Sequence, residues 1–402
     1  MSHRRHASLG AMSILLTLLA AQLAAAAPPP PAEPLAGARI AFSRTAIAPA
    51  QTAGYADIAA ARRLRADDPV RVASISKLAV AIVVLRLVDA GVLDLDADVS
   101  DRLGWRLRNP AHPQTPITLR LLLSHRSSLT DAVDYVLPLD AELQMVLADP
   151  KAWDAVNPPA RYFAYANMNY PVIAAVIERA TGERFDRVMQ AQLFAPLKIA
   201  ACFNWDQCSD ASAARAVVLY EPDGTPLRDD NQGGKPGCSV TPASDGSCDL
   251  SRWVAGRNGA IFSPQGGMRI SANGLARIGQ LLAGDGVIDG VRLLSPASFE
   301  ALMTPLWTYD GRNGDTQGGF YCSYGLGITF TATRVAGCAD DPFGDGRVRI
   351  GHAGEAYRLR SGLWVDRADG SGVAYYATGV AIDAPKGSSA FSAIEERLAR
   401  GR

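Results

Sequence analysis

Lysine is scarce in this chain of 402 residues: five stand against thirty-five arginines, so a lysine in a special place attracts notice. Net charge is absent too, with 40 basic and 40 acidic residues. That removes the electrostatic reason to expect nucleic acid or an anionic membrane surface as partner. Cysteine is missing from the first 201 positions, C-x-x-C and H-E-x-x-H do not occur, and no histidine lies near the cysteines. These gaps argue against a metal site, the competing reading of the cysteines. No apolar run is long enough to span a membrane comfortably. Internal repeats and nucleic-acid motifs are lacking as well.

What remains is a globular profile, 48% hydrophobic and 20% charged. The length suits one large domain or two intimate ones. Residues 1–27 read as an export signal: Arg4 and Arg5 precede the run M-S-I-L-L-T-L-L-A-A, and small residues follow at Ala24 to Ala27. A membrane anchor is the rival reading, but the run is short and Gln22 interrupts its end. Residues 28–34 are a Pro-rich tether. Six cysteines, Cys202, Cys208, Cys238, Cys248, Cys322 and Cys338, form an even set that favours disulfides in an exported chain. The sequence-local choice among the pairings is 202–208, 238–248 and 322–338.

The pattern along the chain predicts an α/β (α+β) protein. Alternation marks strands at 38–43 and 55–58, then at 323–330, 359–366 and 372–382. Residues 76–91 are apolar on nearly every face, which predicts a helix buried on all sides. Further helices are expected at 171–182, 273–283 and 388–400. Strands at both ends imply one antiparallel sheet from 35–91 and 311–402, flanked by helices. Residues 92–310 would be a mostly helical insert, with a disulfide-bearing loop region at 203–258 that reads as a candidate lid.

Three segments can carry chemistry. Ser74-Ile75-Ser76-Lys77, the only S-x-x-K in the chain, opens the buried helix. Residues three apart share a helical face, so Lys77 can reach Ser74. Burial and the positive end of the helix lower a lysine pKa, which makes Lys77 a base for a serine nucleophile. Free N–H groups at the same terminus suit an oxyanion. Tyr165-Ala166-Asn167 places a phenol and an amide two residues apart, facing one way if extended. Near a cation Tyr165 would work as a phenolate. His352-Ala353-Gly354 puts a histidine on or beside an edge strand, with Gly354 letting a substrate backbone come close. His125 is the rival histidine and reads as structural, because it closes a Leu-rich segment away from the other motifs.

Together these motifs resemble the serine β-lactamase and penicillin-binding superfamily, in its class C-like branch with D-Ala-D-Ala carboxypeptidases, D-aminopeptidases and carboxylesterases. R-V-A-S-I-S-K resembles its nucleophile segment, and I-T-L-R-L-L-L-S-H-R-S-S-L and F-S-P-Q-G-G-M-R-I-S-A-N-G-L-A-R-I-G resemble two further stretches. The resemblance implies an exported serine hydrolase, periplasmic or secreted. It would act through a Ser74 acyl-enzyme on an ester or a small peptide, including D-residue peptides. It implies Lys77 as proton acceptor, Tyr165 as proton shuttle, His352 in the third catalytic motif, Asn167 orienting the acyl side chain, and an oxyanion hole from the N–H groups of Ser74 and Glu355. No cofactor and no metal are expected, and the partner is a small-molecule or peptide substrate. A true β-lactamase and a non-catalytic peptide-binding relative are the alternatives. Two departures stand out. H-A-G replaces the K-T-G of true β-lactamases and so loses a permanent cation. Glu355 stands where a small residue is usual; facing the cleft, it would repel a substrate carboxylate unless Arg358 or Arg360 offsets it. Ser128 and Gly274 also depart from the family pattern and read as structural.

Overall fold

The computed structural model describes residues 33–401, so the leader 1–27 and residues 28–32 of the tether lie outside the described residues. Twelve strands and four helices position the site. In chain order they are β1 (Ala36–Phe42), β2 (Gln51–Asp57), β3 (Arg62–Arg63), β4 (Val70–Arg71), α1 (Ile75–Asp89), α2 (Asn169–Thr181), β5 (Cys202–Phe203) and β6 (Met268–Ile270). There follow α3 (Ala272–Ala283), β7 (Trp307–Thr308), β8 (Ser323–Tyr324), β9 (Thr329–Phe330), β10 (Ile350–Ala356), β11 (Leu359–Asp366), β12 (Ser371–Thr378) and α4 (Ala393–Arg400).

A nine-stranded sheet runs β7-β8-β9-β10-β11-β12-β1-β2-β3, so strands from both chain ends meet where β12 pairs antiparallel with β1. Every residue of β12 from Val373 to Thr378 is buried. The alternation explains why: Ala374 and Tyr376 face the core that contains α3, while Val373 and Tyr375 face Phe391 and Ala399 near and on α4. A sheet covered on both faces needs a continuous apolar run rather than an alternating one. A small sheet, β4-β6-β5, leads into the start of α1.

Twelve of the fifteen residues of α1 are buried, as its all-round apolar pattern requires. Helix α2 ends on Gly182 in the left-handed conformation at φ +69, and α4 begins with a capping box between Ser392 and Glu395. The single strand expected at 323–330 is instead two short strands, β8 and β9, joined by a turn. Gly327 makes that turn at φ +64, and a Cβ there would lie 2.9 Å from both the Ala81 side chain and the Lys77 carbonyl. The glycine brings the turn against α1, a packing demand that alternation in sequence does not encode. The three disulfides join Cys202–Cys208, Cys238–Cys248 and Cys322–Cys338. No helix among the described residues is long and apolar enough to cross a membrane.

Candidate active site

The site starts where β4 turns into α1. Ala73 adopts φ +50, a left-handed conformation costly for a residue with a Cβ. The turn sets Ser74 at the head of α1, where its side chain makes no capping bond to the helix. Its hydroxyl is therefore free for other work, and its N–H has no backbone partner among the described residues.

One helical turn on, Lys77 is fully buried. Its Nζ lies 3.0 Å from Ser74 Oγ, 2.8 Å from Asn167 Oδ1 and 2.7 Å from the Gln265 carbonyl oxygen. Burial pushes its pKa from 10.5 down to about 7, with Asp131 pulling the other way. A neutral amine has two N–H donors and one lone pair. Asn167 and Gln265 offer only acceptor oxygens here and take both donors, so the lone pair faces the Ser74 hydroxyl. The Asn167 amide cannot flip, because its Nδ2 and backbone N–H both donate to Asp131, and Met168 N–H does the same.

Asp131 and Gln265 were not singled out in the sequence. Asp131 carries no motif, and Gln265 acts through its carbonyl, which any residue supplies. Replacing Asp131 by Ala frees Asn167 and removes the charge that raises the Lys77 pKa. The expected result is a drop of about tenfold or more in kcat/KM, with the acid limb of the pH profile moved to lower pH. Stopped-flow acylation across pH 5–9 checks both; an unmoved limb refutes the charge effect.

Tyr165 packs within this cluster, its ring centroid 4.9 Å from Lys77 Nζ and stacked on Tyr321 at 4.6 Å. Its hydroxyl is buried without a well-formed hydrogen bond. Burial pushes the phenol well above its ordinary pKa, only partly offset by the nearby Ser74 and Tyr321 hydroxyls. Tyr165 is therefore a neutral phenol, a proton donor rather than the phenolate expected near a cation. His125 lies beside the other motifs rather than away from them. It stacks on Tyr165 at 4.3 Å, and its Nδ1 accepts from the Ala166 N–H. It supports the tyrosine from behind, although 40 residues separate them in sequence.

His352 reaches the same cluster but does not line the cleft. Side chains alternate along β10, so His352 and Gly354 share the face that packs on the start of α1. The ring is fully buried; Nδ1 lies 2.5 Å from the Ala353 carbonyl, and Nε2 lies 2.8 Å from the Tyr324 hydroxyl. A carbonyl only accepts, so Nδ1 carries the proton and Nε2 accepts from Tyr324. Burial and Lys77 push the His352 pKa down to about 3. The imidazole is thus neutral, and its ring centroid is 6.3 Å from that of Tyr165. The structure places it behind the tyrosine, where it touches no open space.

Gly354 lines the cleft and also has a use inside the fold. A Cβ there would lie 2.3 Å from the Val72 carbonyl, 2.4 Å from Ser361 Oγ and 3.2 Å from the Ser74 nitrogen. The missing side chain lets β10 pack against the segment that leads into Ser74. Gly354→Ala should lower stability by about 1–3 kcal/mol and slow acylation, because the Ser74 N–H must shift. Thermal unfolding together with the pre-steady-state burst checks this; loss of stability at unchanged burst rate refutes the positional link.

The edge of β10 is open where it borders the cleft. Strand β9 pairs only with Ile350 and Gly351. The Arg349 carbonyl points to the β9 side, accepting from the Thr331 N–H, and residues two apart point their peptide groups the same way. The Glu355 N–H therefore lies on the uncovered edge, and Glu355 and Ser74 both line the cleft. The Glu355 side chain is 67% exposed and forms an ion pair with Arg360. Arg358 is spent on Glu221. The expected repulsion of a substrate carboxylate by Glu355 is thus offset by Arg360.

These groups wall a cleft of about 750 Å³. No residue of 203–258 lines it, so the candidate lid does not cover it. No group of histidine, cysteine and acidic side chains among the described residues is arranged to hold a metal ion.

The beta-lactamase family model matches residues 36–390. The chain is 27% identical to Penicillin-binding protein 4 of Amycolatopsis lactamdurans over 57% of this chain and 55% of that one. It is 32% identical to esterase EstB of Burkholderia gladioli over 37% of this chain and 42% of that one. The chain thus spans about half the length of these curated relatives. Among solved structures it resembles a D-amino acid amidase from Ochrobactrum anthropi SV3, with a TM-score of 0.61 at 18% identity over 92% of this chain and 90% of that one. The octameric penicillin-binding protein homologue from Pyrococcus abyssi gives 0.62 at 18% identity over 86% and 70%. At such identity the structural likeness is one of fold.

Proposed function

The chain belongs to the beta-lactamase family, and on that premise we propose that it works as an exported serine hydrolase that forms an acyl-enzyme on Ser74. The substrate is an ester or a small peptide, D-residue peptides included. The observation that carries this reading is the 3.0 Å approach of the buried Lys77 amine to the Ser74 hydroxyl, with both amine protons engaged elsewhere.

In the first step Ser74 Oγ attacks the carbonyl carbon and its proton passes to Lys77. Negative charge on the carbonyl oxygen is held by the N–H groups of Ser74 and Glu355. As the intermediate collapses, the bond to the leaving group breaks and the leaving atom takes the Tyr165 proton. Lys77 returns a proton to Tyr165. Water then attacks the ester carbon, gives up a proton through the same pair, and Ser74 leaves as a hydroxyl. Asn167 orients the acyl side chain. His352, neutral behind Tyr165, supplies no charge to the substrate, which sets this site apart from one with a lysine in the third motif.

The leader sequence and the three disulfides support export, since disulfides persist in oxidising compartments. The open cleft and the short Lys77–Ser74 distance disfavour a non-catalytic binding role. Labelling with a fluorophosphonate, followed by mass spectrometry, tests the nucleophile, and an unlabelled Ser74 in folded protein refutes the proposal. A panel of short p-nitrophenyl esters, D-amino-acid amides, D-Ala-D-Ala peptides and nitrocefin ranks the substrates. Nitrocefin turnover matching that of the esters would make the protein a β-lactamase instead.

A further inference from the structure

Arg71 lines the cleft, and acyl transfer leaves it without a task. It ends β4, three residues before Ser74, and borders the same space. The residue is only 5% exposed, and its Nε and Nη1 are buried with no hydrogen-bond partner. Buried guanidinium groups are ordinarily paired, because five donors removed from water are costly to leave unmet. No carboxylate among the described residues forms an ion pair with this one. Asp229, whose charge reaches it, is committed to Arg269 and the Trp205 indole. Arg269 and Arg228 add like charge beside it. Tyr357 offers only its ring face, with its centroid 4.9 Å from Arg71 Cζ. Two further arginines beside Arg71 therefore outnumber the one aspartate whose charge reaches it, and of the three arginines only Arg71 lines the cleft.

The position on this flank indicates which part of a substrate it meets. Arg71 and Asp131 both act on Tyr135, and Asp131 holds Asn167. Arg71 thus lies on the Asn167 side, which on the reading above orients the acyl side chain, while Tyr165, which on that reading protonates the leaving group, stacks on Tyr321. Glu355 does not oppose an incoming anion, because Arg360 holds it.

We propose that Arg71 binds a carboxylate on the acyl portion of the substrate, so that the preferred substrates are esters or amides of carboxylate-bearing acyl groups. A planar carboxylate meets the guanidinium fork with two parallel hydrogen bonds. The substrate class rests on the hydrolase reading above, whereas the anion site rests on the unpaired guanidinium itself.

The test compares kcat/KM for p-nitrophenyl hemiglutarate with that for its methyl-capped neutral counterpart. The wild type should favour the anion by about tenfold or more. Arg71→Gln should bring the ratio to about one, and Arg71→Lys, which keeps a charge but not the fork, should fall between. A ratio removes any general loss from imperfect folding of a variant. A third ester, the butyrate of 4-hydroxybenzoate, carries its carboxylate on the leaving group and should show no dependence on Arg71. A wild-type ratio at or below one, a ratio unmoved by Arg71→Gln, or dependence on the leaving-group carboxylate alone overturns the proposal. A second arm needs no turnover. Monomethyl glutarate is titrated by calorimetry into Ser74→Ala and into Ser74→Ala/Arg71→Gln. Binding tenfold weaker in the double variant supports the site, and equal affinity overturns it. Fluorophosphonate labelling reports on the hydrolase reading separately, so the two failures are distinguishable.

Discussion

Ser74→Ala should abolish acylation while leaving the fold intact. Loss of a nucleophile that works as a unit with its base costs about ten-thousandfold or more in kcat. The structural cost is expected to be modest, about 1 kcal/mol, because the Ser74 side chain does not cap α1 and only its bond with Lys77 is lost. A serine that capped its helix would couple the two effects. Turnover of the best ester and thermal unfolding, measured on the same preparation, check both halves. Residual activity near that of the wild type would mean that another group is acylated.

Lys77→Met should give the second largest effect, and it should depend on pH in two ways. Removing a general base costs about 10²–10⁴ in rate. In the wild type, kcat/KM should rise with pH through about 7, where Lys77 loses its proton, and then level off. Stability behaves differently. The folded-state pKa of about 7 lies below the ordinary 10.5, so the unfolded chain binds the extra proton between those values. The cost of keeping a neutral amine in the folded state is absent above pH 10.5, grows as pH falls, and is complete below about 7. The shift corresponds to roughly 5 kcal/mol at its limit. Methionine carries no such cost, although it leaves the Asn167 and Gln265 oxygens without their donor, about 1–3 kcal/mol each. The expected result is that Lys77→Met gains stability relative to the wild type as pH falls from 10 to 7. Denaturant unfolding at several pH values checks this, and a difference that stays constant with pH would show that Lys77 titrates normally.

The two predictions rest on unequal kinds of legibility. The Ser74–Lys77 pair is local: three residues of helix bring the groups together, and an all-apolar helix guarantees burial. The rest of the Lys77 environment comes from far away. Its other partners, Asn167 and Gln265, lie 90 and 188 residues along the chain. His352 shows the opposite outcome. Its place beside an open strand edge is readable, but the face it occupies depends on strand register, and one residue of shift exchanges cleft for core. His125 appears remote in sequence and lies against Tyr165 in space.

By itself the sequence determined the elements with strong periodicity and the serine with its lysine one turn away, and it offered the sequence-local pairing of cysteines among the alternatives that the structure decides. Each depends on neighbours within a few residues, where backbone geometry dictates which groups meet. Only the tertiary structure decided the protonation states of Tyr165 and His352, the clamp of Asp131 on Asn167, the neutralised Glu355 and the unpaired Arg71. Those properties are set by burial and by charges brought in from distant segments, and in a low-dielectric interior such contributions outweigh the intrinsic chemistry of the side chain.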